Sequence, residues 1–406
     1  MTNIQKIHFT GLNSLRFFAA YFVVFHHGET IRAKNGLTHF ENYSFFRNGS
    51  LAVSFFFVLS GFLITYLLLN EIKNTHTISL KKFYMRRVLR IFPLYYLLVF
   101  IGLMAIPVLL KLIHYTYQMP YDTTTAGVLF VLFLSFVVNP LYGSHLLEPL
   151  WSIGVEEYFY LIWAPLFKFF VKPQSKIINP KSKIINHPLR IIVGMMLLKG
   201  SILIFYQFYI PERETLVLLR DVLLNLKFEL MAIGGLGAYF IDNAYNVPSD
   251  KNAGKIMTLE KAWFFQPLFQ MLFLSLLFSR LFFHNYFTEN TNILYKIFFQ
   301  TPVLNVFTEG GLFLWLILNV AINPRALFKL KNPILEKLGE ISYGIYMYQM
   351  LVIFATVLFF KKMMLPMSPW VQTVFFYTVV SVGVLGISGL SKRYFEDYFL
   401  RFKRKY

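Results

Sequence analysis

The sequence predicts an all-α fold: a polytopic membrane helical bundle of about ten transmembrane helices plus one re-entrant or interfacial segment, with both termini cytoplasmic. Three observations predict it. Hydrophobic residues fill 56% of the 406 positions, phenylalanine alone occurs 47 times and charged residues make up 15%, where soluble domains carry about 25%. Apolar runs recur at lengths that cross a hydrocarbon core of about 30 Å at about 1.5 Å per helical residue. Lys and Arg gather in alternate loops, the bias that marks a cytoplasmic side.

Eleven apolar segments follow one another at 12–28, 50–70, 88–113, 126–138, 150–171, 189–210, 225–242, 262–284, 303–322, 341–360 and 370–390. The fourth starts after Tyr121-Asp122-Thr123-Thr124-Thr125 and ends at Asn139-Pro140. At 13 residues it is too short to cross alone and reads as re-entrant or interfacial. With that segment not crossing and the N-terminus inside, the cytoplasmic loops hold 26 Lys and Arg and the outer loops 10. If it crossed, Lys172, Lys176, Lys181, Lys183 and Arg190 would lie outside, against the bias. Ten spans is the expectation. Met1 to Thr10 is polar and the first apolar stretch carries Arg16, His26 and His27, so that stretch reads as a retained helix, not a cleaved signal. Residues 1–406 read as one membrane domain with no appended soluble domain. The Ser-Lys-Ile-Ile-Asn near-repeat at 175–179 and 182–186 is a local duplication in a basic loop, and no inverted transporter-like repeat is evident.

The net charge of +19 is read as loop charge meeting anionic lipid, so the bilayer is the expected partner and nucleic acid is not. The absence of cysteine excludes disulfides, thiol nucleophiles and thiolate metal sites. No metal centre is expected.

Ionisable groups inside a membrane are costly, and each is a candidate for function. In the first span Arg16 and His27 are eleven residues apart, which returns to within roughly 20° of one helix face with a rise of about 16 Å. Arg16 then lies toward the cytoplasm and His27 toward the outside. A neutral imidazole there suits a general base acting on a sugar hydroxyl, and Arg16 suits an anionic or carbonyl part of a donor. The bland reading makes Arg16 a snorkelling anchor and His27 an interfacial helix end. His26 points roughly 80° away. In the second span Ala52, Ser60 and Gly61 are small enough for close helix packing.

Before the third span, Arg86, Arg87 and Arg90 cluster on the cytoplasmic side, Arg86 and Arg90 on one face at i, i+4. Their guanidinium groups suit the phosphates of a donor such as a coenzyme A thioester, or equally lipid phosphate. In the fifth segment Ser152, Glu156 and Tyr160 form a stripe down one face. Glu156 is placed to orient an imidazole or bind an acceptor hydroxyl, with an interfacial ion pair as the alternative. Tyr343, Tyr346 and Gln349 share a face of the tenth segment, for ligand contact or for packing. Lys227-Phe228-Glu229 followed by Gly234, Gly235 and Gly237 marks a polar entry into a tightly packed helix, and Ser391 to Lys405 a basic cytoplasmic anchor.

Taken in order, these strings resemble acyltransferase family three, the bacterial membrane O-acyltransferases of surface polysaccharides and related glycans. The resemblance rests on Arg16 with His27, Phe56-Phe57-Val58-Leu59-Ser60-Gly61-Phe62, Arg86-Arg87 to Arg90-Ile91-Phe92-Pro93, Trp151-Ser152 through Glu156-Glu157 to Phe159-Tyr160, and Gly339 to Tyr346. It implies a ten-span fold in the bacterial cytoplasmic (inner) membrane and acetyl-coenzyme A or a related thioester as co-substrate, with no bound cofactor. It also implies an essential pair of His27 and Arg16, and a donor role for Arg86, Arg87 and Arg90. Two departures stand out: many members carry histidine where this chain has Gln349, and arginine is common where it has Lys227. The hydrolase-like C-terminal domain frequent in the family is not in this sequence. Transfer is therefore expected from the membrane domain alone or with a separate periplasmic or glycan-assembly partner.

The expected chemistry is acyl transfer from a cytoplasmic acyl-coenzyme A to a carbohydrate or glycan hydroxyl outside, with His27 as base and Glu156 as its orienter. A pantetheine arm of about 15–20 Å is comparable to the rise from Arg16 to His27. Direct transfer and a transient acyl-enzyme both remain open. The rival class is a transporter or flippase of glycan or lipid-linked precursors, with buried charges lining a path and no covalent chemistry.

Overall fold

A computed structural model describes residues 9–112, 114, 119–143, 146–170, 186–208, 214–245, 262–289, 293–363 and 368–405. The near-repeat between 175 and 186 lies outside the described residues apart from Asn186. Among the described residues the chain is helical throughout, joined by turns.

Helix α1 (Leu12–Lys34) carries Arg16 and His27 and is fixed at both ends. Gly11 sits at φ +87° where a Cβ would strike Val320. The Gly11 N–H donates to Glu336 Oε1 at 2.7 Å and the Ser14 hydroxyl to Leu330 O at 3.0 Å, so a carboxylate meets the positive end of the helix. At the other end Arg32 pairs with Glu29 at 2.7 Å, both buried. Arg32 also donates to Thr373 Oγ1, and Glu29 accepts from the Tyr377 hydroxyl and the Phe40 N–H. The pair is buried but hydrogen-bonded on every side, the condition under which a buried ion pair is tolerated.

Helix α2 (Gly49–Thr75) packs on α10 (Phe228–Tyr245) at backbone distance. A Cβ on Gly61 would collide with the Met231 carbonyl, and one on Gly234 with the Val58 carbonyl. This is the close approach that the small residues of both segments predict.

Helix α3 (Leu80–Phe100) passes Pro93 and runs through a π turn, Ile101–Ala105, into α4 (Ile106–Leu112). The short fourth segment is two helices, α5 (Thr123–Val131) and α6 (Ser135–Tyr142). Asp122 caps α5, and hydrogen bonds from the Thr125 side chain and amide hold its carboxyl below its ordinary pKa. The break falls at Phe133, at φ +59°. The Tyr95 and Tyr96 hydroxyls donate, each at 2.9 Å, to the carbonyls of Phe130 and Val131 in the last turn of α5. The Phe133 ring stacks on Tyr95 with centroids 4.1 Å apart. Neither piece is long enough to cross a bilayer.

Helices α7 (Leu150–Phe170), α8 (Asn186–Phe208) and α9 (Glu214–Asn225) lead to α10. Segment 262–284, expected as one span, holds a 3-10 turn, Trp263–Phe265, and the 16-residue apolar helix α11 (Pro267–Phe282), with extended Gln266 and Pro267 starting the helix afresh. Two short helices, α12 (His284–Glu289) and α13 (Ile293–Gln300), precede α14 (Pro302–Ile322). Then come α15 (Pro333–Glu340), α16 (Ser342–Met363), α17 (Pro369–Leu390) and, after a second π turn, α18 (Asp397–Arg401).

Among the described residues six helices are long and apolar enough to cross a membrane: Gly49–Thr75, Leu80–Leu112, Pro188–Tyr206, Pro302–Ile322, Ser342–Met363 and Pro369–Arg401. Helices α1, α7 and α10, of 23, 21 and 18 residues, match several of these in length but hold the buried ionisable groups Glu29, Arg32, Glu157, Glu229 and Asp242. Apolar side chains such as Leu109, Phe208 and Val382 are more than half exposed on outer helices, a surface suited to lipid. The protein is a multi-pass membrane helical bundle.

Candidate active site

Two cavities lie along the inner face of α1. The first, about 110 Å³, is lined by Arg16 of α1, Ser60 of α2, Arg87 and Arg90 of α3, Ser152, Glu156 and Tyr160 of α7, and Tyr343 and Tyr346 of α16. Five separate helices converge there. The Glu156 carboxylate accepts from the Ser60 hydroxyl through Oε1 and from the Tyr160 hydroxyl through Oε2, both at 2.9 Å. Its other close charges are Arg16 and Arg90. The lining therefore holds three guanidinium groups against one carboxylate. Arg87 Nε is buried without a hydrogen-bond partner, an open donor in a site where guanidinium groups outnumber carboxylates even with Glu157 near Arg87. Such a site favours an anionic or strongly polarised ligand.

The second cavity, about 490 Å³, takes in His26 and His27, Ser50 at the start of α2, Asn139 of α6, Glu148 and Trp151 at the start of α7, Asp221 and Asn225 of α9, and Tyr346. Its chemistry is of the opposite kind: two imidazoles, two carboxylates, two amides, two hydroxyls and an indole. Carboxylates and amides bind sugar hydroxyls through paired hydrogen bonds, and an indole offers an apolar face. His26 is tied back, its Nδ1 3.2 Å from Phe46 O, while a Cβ on Gly49 would overlap its ring. His27 Nδ1 is buried and unpartnered. Glu148 is its strongest charged neighbour and the Gln349 side chain lies beside it. Gln349 donates through Nε2 to Tyr346 O at 3.0 Å, which leaves its Oε1 unpartnered.

The structure thus brings Arg16, Arg87, Arg90, Ser152, Glu156, Tyr160 and Tyr343 together, and sets His27 and Gln349 in or beside the neighbouring cavity. Two sequence expectations change. Glu156 does not orient His27: both its oxygens are engaged by Ser60 and Tyr160, and the carboxylate near the imidazole is Glu148. Arg86 does not line the arginine cavity. The inward face of α3 is centred between Arg87 and Arg90, and Arg86 lies on the far flank of Arg90, about 100° from Arg87. Tyr343 turns out to tie α16 to α3, its hydroxyl donating to Ile91 O at 3.1 Å.

Sequence reasoning missed Glu148, Trp151 and Asp221 as site residues. The first two stand just before the Ser152 stripe, and their position at the N-terminal start of α7 was the available signal. Asp221 lies on α9, which no apolar run announces.

No solved structure shows a significant match to this chain. Among curated proteins it is similar to the putative peptidoglycan O-acetyltransferase YrhL of Bacillus subtilis, 29% identical over 163 residues, which are 39% of this chain and 23% of that protein. It is also similar to the peptidoglycan O-acetyltransferase OatA of Listeria monocytogenes, 31% identical over 141 residues, 32% of this chain and 22% of the relative. The O-acetyltransferase OatA of Staphylococcus aureus is 30% identical over 179 residues, 41% and 26% of the two chains. The chain therefore spans about a quarter of the length of these relatives. The family described as "Acyltransferase domain" matches residues 9–390, nearly the whole sequence, and the chain belongs to this family, acyltransferase family three.

Proposed function

We propose that this protein is an O-acyltransferase of the bacterial inner membrane, moving an acyl group, most simply acetyl, from cytoplasmic acyl-coenzyme A to a hydroxyl of a glycan at the outer side. The observation that carries the reading is the pairing of unlike cavities along one helix, guanidinium-rich at Arg16 and rich in imidazole and carboxylate at His27. The distribution of Lys and Arg supports ten spans with both termini in the cytoplasm, which turns the arginine cavity inward and the His27 cavity outward. The names of the relatives make peptidoglycan one acceptor of the proposed class.

In this reading the donor phosphates meet Arg87 and Arg90, with the open Arg87 Nε as one of the donors to them. The narrow pantetheine arm enters beside Arg16, since a cavity of about 110 Å³ has room for the thioester end and not for the nucleotide. His27 takes the proton of the acceptor hydroxyl. The acceptor oxygen bonds to the acyl carbon, the carbon–sulfur bond breaks, and coenzyme A leaves as the thiol or thiolate. Glu148 and Asp221 hold neighbouring hydroxyls of the sugar, and Glu148 also steadies the imidazolium once it forms. A separate glycan-assembly partner that presents the acceptor fits the same scheme.

The test is free-thiol release from acetyl-coenzyme A by the purified protein, together with mass spectrometry of surface glycans from cells with and without it. Ester-linked acetyl that appears with the wild type and is lost with His27→Ala supports the reading. Unchanged glycans, with no thiol released, overturn it. Substrate accumulation driven by an ion gradient and without thioester loss would instead identify a transporter.

A further inference from the structure

Of all the residues lining the two cavities, Tyr346 alone belongs to both. The same four helices pass each cavity, and between them the side chains change character. The Phe56 ring meets the Tyr346 ring edge-on with centroids 6.0 Å apart, and the Phe57 ring meets Trp151 edge-on at 5.8 Å. Phe56 and Phe57 line the arginine cavity, Trp151 lines the His27 cavity and Tyr346 lines both, so the two ring pairs form an aromatic wall where the cavities adjoin. The wall has one polar fastening. The Tyr346 hydroxyl donates to Pro149 O at 3.0 Å and lies 2.8 Å from Ser152 Oγ. Two bonds thereby latch the phenol to the first turn of α7, and both Tyr346 and Ser152 are only 5% exposed. Tyr346 O in turn accepts from Gln349, so the backbone of the wall residue is held by the side chain that lies against His27.

We propose that Tyr346 is the partition between the donor and acceptor cavities: a positioning residue that keeps water of the larger cavity from the thioester and limits the size of acyl group that reaches His27. The proposal rests on the acyl-transfer reading above. Neutral hydrogen bonds suit the task, because they hold the ring across the gap and are exchanged more readily than an ion pair would be. Aromatic edges exclude water while leaving a narrow slot. An acyl group must displace or skirt the phenol, and each added methylene meets the same wall. When the wall is missing, water takes the place of the acceptor: its oxygen bonds to the acyl carbon, the carbon–sulfur bond breaks, and carboxylic acid and free thiol are released.

The experiment uses the full chain, purified in detergent, with acetyl-, butyryl- and hexanoyl-coenzyme A and no acceptor. Thiol release is measured for the wild type, Tyr346→Ala, Tyr346→Phe and Ser152→Ala. Transfer to endogenous glycan by wild-type membranes is established first. Tyr346→Ala is expected to raise acceptor-independent thiol release and to reduce the preference for acetyl over hexanoyl by about tenfold or more, the scale on which apolar pockets discriminate methylenes. Tyr346→Phe and Ser152→Ala, which keep the ring and loosen the latch, should raise the leak while retaining the acyl preference. A loss of folding would not produce that split. If Tyr346→Ala does not fold, the two milder variants decide by their leak alone. Unchanged leak and unchanged preference in folded variants overturn the partition and leave the transferase reading intact. Wild-type membranes that transfer nothing overturn both.

Discussion

Arg16 and His27 stand on one face of a single helix, yet each lines a different cavity, one basic and one furnished with carboxylates. They are eleven positions apart along α1, a rise of about 16 Å. This relationship makes the helix a bridge between two chemical environments, and it divides the effects of substitution into two sets.

His27→Ala should leave the protein inserted and folded and lower the transfer rate by about 10²–10⁴, the usual contribution of a general base. The rate of product ester formation, with size-exclusion elution as the folding control, checks this. Near-normal turnover would remove His27 from the chemistry.

Arg87→Ala and Arg90→Ala should each raise the donor KM by about 10- to 100-fold, corresponding to the loss of a charge-assisted hydrogen bond of about 1.5–3 kcal/mol. Arg86→Ala should change it little, because Arg86 is absent from the lining. Donor titrations on the three variants separate the two faces of α3.

Glu148→Gln and Glu156→Gln should diverge. The first alters the cavity around His27 and is expected to raise the acceptor KM and slow turnover at unchanged donor KM. The second leaves Arg16 and Arg90 without their counter-charge and is expected to act on the donor KM. The opposite split would restore the pairing of Glu156 with His27 that the sequence suggested.

Gly61→Ala should destabilise the fold by about 1–3 kcal/mol, because the added carbon collides with the Met231 carbonyl and forces α2 from α10. Arg32→Ala should cost more, about 3–5 kcal/mol, since it strands the buried Glu29. Thermal melting in detergent ranks the two.

What could be read in the sequence follows the range of the interactions involved. The Arg16–His27 face depends only on helical period, so it was legible, and so was the close packing marked by Gly61 and Gly234. The short fourth segment announced by its length that it could not cross, but not that Phe133 would adopt a left-handed backbone against Tyr95. The choice between Arg86 and Arg87 depends on how α3 is rotated against α7 and α16, which no local pattern encodes. Glu148 and Asp221 reach the same cavity from the turn before α7 and from α9, and only the folded chain brings them to one cavity.

The fastenings at the two ends of α1 have a mechanical consequence. With Glu336 gripping its first turn and Thr373 and Tyr377 its last, α1 acts as a stator that fixes the separation of the two chemical stations. Any displacement that changes the arginine cavity then falls to the helices facing α1, among them α3 and α16, which the phenol-to-carbonyl bond from Tyr343 to Ile91 ties together.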